Sequence, residues 1–424
     1  MRKIIFGFFI FLLVFSGCGN PSNGGNGGNG IPDGPDAISL LITNTRTMNI
    51  GEQWKPGVTV LPAGAPIISW TSDNTAVATV ANDGTITARA IGSARITATA
   101  KGGLNSSCTI TVQLVLSQAT HPNFGGDNLN CIVFGGDKFL VGDSEGNIYH
   151  SVNGISWTLE ATNVLESNDG IYALAYGNGT YIAGGGFGRA RIAKSSDGIT
   201  WELVSKDILI SFSNITSIAY ENGIFVAGSF WGRIAWSEDG GQTWTPAHDG
   251  ERIFDITGGT VNNIIYADGK FVAAGRGQDQ HRIAYSTNGK DWTRVTIPFA
   301  ENYGWSSVAY GGGLFISGFD SYDNTVKFAS SQDALTWTPI SITSNNPFSV
   351  GYPQNMIYAK GNFFASVTGM GFINLTFSSN GTTWINHSTI GPNILRISAM
   401  AFGKDRLVFT GISDYVRQIW YTDL

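Results

Sequence analysis

The sequence predicts an all-β protein, a small antiparallel sandwich followed by a seven-bladed β-propeller. Three observations carry this. Glycine supplies 56 of 424 residues, aromatic residues 12% and charged residues only 13%. Many turns, many aromatics and few surface charges exclude a helical bundle, a coiled coil and a charge-rich disordered chain. Residues 37–112 alternate apolar and polar side chains in short runs bounded by Gly, Asn and Asp, the pattern of half-buried strands. Residues 113–424 repeat one motif, and self-similarity at that length marks propeller blades.

Residues 1–18 are expected to be an export leader. Arg2 and Lys3 precede an apolar run from Ile4 to Phe15, interrupted only by Gly7. Twelve residues are too few for a membrane span, which needs about 20, and suit a signal sequence. The run ends in Phe15-Ser16-Gly17-Cys18, which resembles a bacterial lipobox, with Phe15 where Leu is usual. The resemblance implies lipidation at Cys18. Residues 19–36 are Asn, Gly, Pro and Ser with almost nothing apolar, a flexible tether that cannot bury a core. No Asp follows Cys18, so the expected address is the outer membrane of a Gram-negative envelope, on its periplasmic or its outer side.

Net charge is −6. Without Arg2 and Lys3, 23 basic side chains face 31 acidic ones, and the balance is −8. With no Lys/Arg run, nucleic acid is not an expected partner, and the membrane is reached only through the lipid. Cys108 and Cys131 fall in apolar stretches of different domains. A disulfide is open to an exported protein, and two buried free thiols are the simpler reading.

In the sandwich, "ISWTSDNTAVATVANDGTITARAIGSARITATA" strongly resembles the bacterial Ig-like domain of group 2. The resemblance implies residues 37–112 as such a domain with Trp70 in its core, serving as a spacer or as part of an adhesin, without chemistry of its own.

The repeat is clearest in "SIAYENGIFVAGSFWGRIAWSEDGGQTWTPA", Ser217 to Ala247. A first strand ends in an aromatic seven times, at Phe134, Tyr176, Tyr220, Tyr266, Tyr310, Tyr358 and Phe402. A fourth strand opens on a tryptophan six times, at Trp157, Trp201, Trp244, Trp292, Trp337 and Trp384, spaced by 44, 43, 48, 45 and 47 residues. A Ser-x-Asp/Asn turn stands before each Trp. Ser237 to Trp244 matches the Asp-box of sialidases and related propellers, and the other five turns are one residue shorter. Asp197, Asp239 and Asp333 are therefore read as structural: a side chain there accepts backbone N–H bonds and locks the hairpin, while the Trp packs on a neighbouring turn. Exported propellers of the photosystem II assembly-factor type share such repeats and act as protein-binding scaffolds. Seven first strands and six Trp-led fourth strands leave one outer strand missing. Gln113–Ser117 has the spacing and β-branched content to supply it, against Gln418–Thr422.

One face of such a propeller carries tight, repetitive turns, and the other carries long, variable loops. A constant scaffold with one variable face is how folds host binding. The candidate binding residues are Phe187, Arg189, Phe230, Trp231, Arg276, Glu301, Tyr303, Trp305, Asp320 and Tyr322. The expected function is non-catalytic binding of a glycan or a protein. The alternative is a glycoside hydrolase of the sialidase-like type, which needs two placed carboxylates. The Phe/Tyr-Arg-Ile-Pro motif of sialidases is absent, and "GRIAW" and "HRIAY" lack its proline. Five histidines show no metal spacing, no phosphate-binding loop occurs, and no cofactor or metal is expected.

Overall fold

The computed structural model describes residues 37–40, 45–61, 67–100, 103–122, 124, 128–166, 169–204, 213–247, 252–254, 259–277, 281–297, 299, 304–319, 328–340, 351–369, 372–387, 394–413 and 416–424. The leader, Cys18 and the tether lie outside them. The fold is all-β.

The first body is a sandwich. One sheet orders Thr45–Asn49, Asn105–Gln113, Gly92–Ala100 and Ile67–Ser72, and its first two strands run parallel, against the antiparallel expectation; the facing sheet orders Gln53–Trp54, Ile86–Ala88 and Ala78–Val80. Alternation places Met48, Ile86, Ile96, Ala98, Ile110 and Val112 in a common core. Cys108 is buried in that core, and Cys131 is buried in the propeller, both as free thiols. Trp70 departs from its expected place. It is half-buried at the margin of the core, over the Gly84 turn, where a Cβ would stand 2.7 Å from the indole. A ring that size is accommodated against a bare glycine rather than between the sheets.

The second body is a ring of four-stranded antiparallel sheets. Among the described residues there are seven, six of them built from four consecutive strands. Their inner strands are Leu129–Gly135, Ile171–Gly177, Ile215–Glu221, Thr260–Ala267, Trp305–Gly311, Gly351–Ala359 and Ile394–Gly403. Each packs on the next, and the last packs on the first. The aromatic that ends each inner strand explains the glycines beside it. Gly135, Gly177, Gly311 and Gly403 lie under the rings of Tyr176, Tyr220, Tyr358 and Phe134 of the adjoining blade. A Cβ at these four positions would stand 2.0–2.3 Å from ring atoms. Only a residue without a side chain admits so close a ring.

The seventh sheet takes its outer strand from the chain leaving the sandwich. Ser117–Gln118 runs antiparallel to Val416–Asp423, with Ser117 opposite Tyr421 and Gln118 opposite Trp420. Ala119 N–H donates to Ile419 O at 2.9 Å. Thr120 N–H then donates to Ile155 O, and Trp157 N–H to Thr120 O, so the same segment ties blade seven to blade one. The expected donor, Gln113–Ser117, shares only Ser117 with this strand. Gln113 still belongs to the sandwich ladder, opposite Asn49. Leu114 is buried and Leu116 half-buried against Phe364, Phe377 and Trp420, where Ile91 of the sandwich joins them. The apolar residues that resembled a strand are the joint between the two bodies.

The joint fixes polarity. The closing strand runs from the end where the blades make their tight turns toward the end with the long loops. The sandwich therefore sits on the turn side, and the long-loop face points away from it.

Candidate binding face

On the turn face, the six Ser-x-Asp/Asn turns share one geometry. The serine is buried in every case: Ser151, Ser195, Ser237, Ser286, Ser331 and Ser378. Its hydroxyl donates to Oδ1 of Asn153, Asp197, Asp239, Asn288, Asp333 or Asn380 at 2.8–3.1 Å. In five turns that oxygen accepts two successive backbone N–H groups, as Asp197 does from Ile199 and Thr200, both at 2.8 Å. The longer turn of blade three differs, with Thr243 reaching Asp239 through both its N–H and its hydroxyl. In the five shorter turns one acceptor oxygen holds the hairpin, so Asp and Asn serve alike.

Trp157, Trp201, Trp244, Trp292, Trp337 and Trp384 each donate Nε1–H to the carbonyl three residues earlier, within their own turn. The ring expected to pack on a neighbouring turn is thus bonded within its own hairpin. Backbone N–H bonds from Ile199 and Thr200 hold the Asp197 carboxyl down at about 2. At Asp239 burial pushes the other way and is outweighed by the Thr243 and Ser237 bonds, so that carboxyl is also lowered. All these groups are occupied in holding hairpins.

The opposite face is built on a second repeated feature, absent from the sequence reading. Near its long-loop end every inner strand carries a bulge. The extra residue is Asn130, Tyr172, Thr216, Asn262, Ser306, Gln354 or Ser398. A bulge re-aims a side chain out of the ladder, here into the mouth of the central channel. Some of these groups also latch adjoining blades. Asn130 Nδ2 donates to Ile171 O at 3.1 Å, Thr216 Oγ1 to Val261 O at 2.5 Å, and Ser306 Oγ to Pro353 O. The sequence signal was a polar pair before the apolar-Ala-Tyr string, as in Thr216-Ser217 and Ser306-Ser307.

Five bulge residues line a recess of about 490 Å³, with Phe230, Arg276 and Arg396 among the other lining residues. A second volume of about 310 Å³ is lined by the inner strands of all seven blades, with Asn130, Asn263, Ser307 and Asn355 beside Leu174 and Met400. Both volumes present mostly polar surface. No carboxylate lines the recess among the described residues.

The sequence candidates divide accordingly. Phe230 and Arg276 line the recess. Trp231 sits beside Phe230 edge-on, ring centres 5.5 Å apart, with the Arg252 guanidinium 5.3 Å from its own ring centre. Phe187 is 83% exposed on the neighbouring loop. Asn214 pins both loops: its side-chain oxygen accepts from Gly188 N–H and its carbonyl from Phe230 N–H, each at 3.0 Å. Arg189 is engaged elsewhere, with Nε 3.2 Å from the buried carboxylate of Asp169. Trp305 opens the inner strand of blade five, opposite Phe319. Glu301, Tyr303, Asp320 and Tyr322 lie outside the described residues. Arg396 was missed because it stands at the start of a strand rather than in a loop. Among the described residues no group of three His, Cys, Asp or Glu could hold a metal ion.

The chain is similar in structure to YCF48 bound to D1 peptide, at 15% identity and a TM-score of 0.53, covering 73% of this chain and 96% of that one. YCF48 from Cyanidioschyzon merolae gives 14%, 0.53, 73% and 98%. A GH74 xyloglucanase from Xanthomonas campestris gives 15% and 0.53, covering 72% of this chain and 53% of that one, about half of the enzyme. At these identities the likeness is one of fold. No curated protein matches the chain. Residues 40–112 match the family described as the bacterial Ig-like domain (group 2), so the sandwich is an Ig-like domain joined to a β-propeller.

Proposed function

We propose that this chain is a non-catalytic lipoprotein of the cell envelope that binds a glycan through the long-loop face of its propeller. In this reading Cys18 carries the lipid, the outer membrane is the address, and the Ig-like domain is a spacer. The observation that supports it best is the recess of about 490 Å³ at the centre of the face directed away from the sandwich. Its wall of hydroxyl and amide side chains suits a ligand rich in hydroxyl groups, and aromatic faces at its rim suit the apolar face of a sugar ring. Convergent polar groups in a concave, aromatic-edged site are the general marks of a ligand pocket. Glycoside hydrolysis would need a pair of carboxylates about 5–10 Å apart, which the described part of the recess does not supply. A glycan array run beside a fluorogenic glycosidase panel tests the proposal. Binding without turnover is expected. Turnover would convert the protein into a hydrolase, and an empty array with capture of an envelope protein would move the partner to the protein class that the peptide-bound YCF48 represents. For the anchor, Cys18→Ala is expected to abolish lipid labelling and release the protein from membranes. Unchanged retention would refute it.

A further inference from the structure

The glycan reading leaves the chemistry of the sugar open, and two guanidinium groups narrow it. Arg276 and Arg396 are both exposed and both line the recess. Beyond the backbone ladders that hold them, neither guanidinium makes a hydrogen bond or an ion pair with any described residue. Other arginines of this chain are matched to carboxylates: Arg46 to Glu52, Arg189 to Asp169 and Arg406 to Asp423. Two unmatched cations around one volume that no described carboxylate lines, on a protein of net charge −6, form a local positive site on an acidic surface. Such a site favours an anionic group placed within it. Thr216, Asn262, Ser306 and Ser398 surround the same volume with groups suited to hydroxyls. Phe230 continues from the recess to Trp231 and Phe187, on loops that Asn214 holds in place.

We infer that the ligand is an acidic polysaccharide. One uronate unit enters the recess with its carboxylate on Arg276 and Arg396, and neighbouring sugars cross the aromatic strip of Phe230, Trp231 and Phe187. This rests on the glycan reading above. An acidic peptide has the charge but not the run of stacking, hydroxyl-bearing rings that the strip and the polar wall suit together.

The test compares the full chain, in detergent, on polygalacturonate and on its methyl ester, which keeps the backbone and removes the charge. Tight binding to the acid, weakening with salt, and weak binding to the ester are expected. The double variant Arg276→Gln, Arg396→Gln should lose about ten-fold or more on the acid, the effect of removing charge-assisted bonds, and change little on the ester. Trp231→Ala should weaken both polymers alike. Equal binding of acid and ester, unaffected by the double variant, would overturn the acidic assignment and leave the glycan reading standing. Polyglutamate competing as well as polygalacturonate would overturn the sugar assignment. If neither these polymers nor any member of the glycan array binds, both readings fall together.

Discussion

The two faces of the propeller are made by the same strands and follow opposite rules. On the turn face, side chains are consumed by the fold: a buried serine, an Asp or Asn oxygen and a tryptophan Nε1–H satisfy one another within each hairpin. On the long-loop face, bulged residues turn out of the ladder, Phe187 stands 83% exposed, and the guanidinium groups of Arg276 and Arg396 have no described partner. Apolar surface and charge left unused are what a fold withholds from its own stability and offers to a ligand. Repetition therefore marks structure in this protein, and departure from repetition marks the binding face.

The comparison can be broken experimentally. The largest effect belongs to ring closure. Removing residues 1–118 takes away the Ser117–Gln118 strand and uncovers the apolar joint at Phe364, Phe377 and Trp420. The bare edge is expected to cause aggregation and loss of a cooperative melt, read by size-exclusion chromatography and thermal unfolding. A truncation as stable as the parent would refute the closure role.

Next, Trp244→Ala should cost about 3–5 kcal/mol in denaturant titration, the range for a buried aromatic, and leave ligand affinity unchanged. Phe187→Ala should do the reverse, changing stability by less than about 0.5 kcal/mol while weakening binding. If both variants shift stability alike, the division between the faces is wrong.

Within the turn face the structure reorders the parts. Asp239 is exposed, whereas Ser237 is 1% exposed and holds both Asp239 and Gly241 N–H. Ser237→Ala should therefore cost about 1–3 kcal/mol by stranding buried partners, and Asp239→Ala only about 1 kcal/mol. An inverted order in unfolding titrations would restore the aspartate as the anchor.

The smallest effect is acid sensitivity. Asp197, Asp239 and Asp333 have lowered carboxyl pKa values, while Asn153, Asn288 and Asn380 do not titrate. A lowered folded-state value means that these groups add stability above their unfolded values, lost as pH falls through the folded ones. For Asp197 the window runs from 3.8 down to about 2. The triple Asp→Asn variant should show a flatter fall of melting temperature across that window. An unchanged slope would mean that other carboxylates dominate acid unfolding.

The strands, the repeat and the need for a donated outer strand were legible because each depends on local pattern: period-2 alternation, a recurring aromatic and a recurring Trp. The donor itself, Ser117–Gln118, lies a few residues beyond the segment that composition suggests. Leu114 and Leu116 carry the composition of a strand, and composition does not distinguish an apolar side chain facing a joint from one on a ladder. Trp70 lies shallower than its size suggests for a similar reason, since a sequence shows the size of a ring but not the glycine beneath it.

The sequence by itself determined the fold class, the Ig-like domain, the repeat and the turn chemistry, since each is a contact between residues close in the chain or copied around the ring. Only the tertiary structure brought Thr216, Asn262, Ser306, Gln354 and Ser398 around one recess with Arg276 and Arg396. These residues span blades three to seven, and nothing in their local sequences announces a common axis. A polar pair such as Thr216-Ser217 marks a bulge, but the meeting of the bulged side chains around one volume is visible only once the inner strands are closed into a ring.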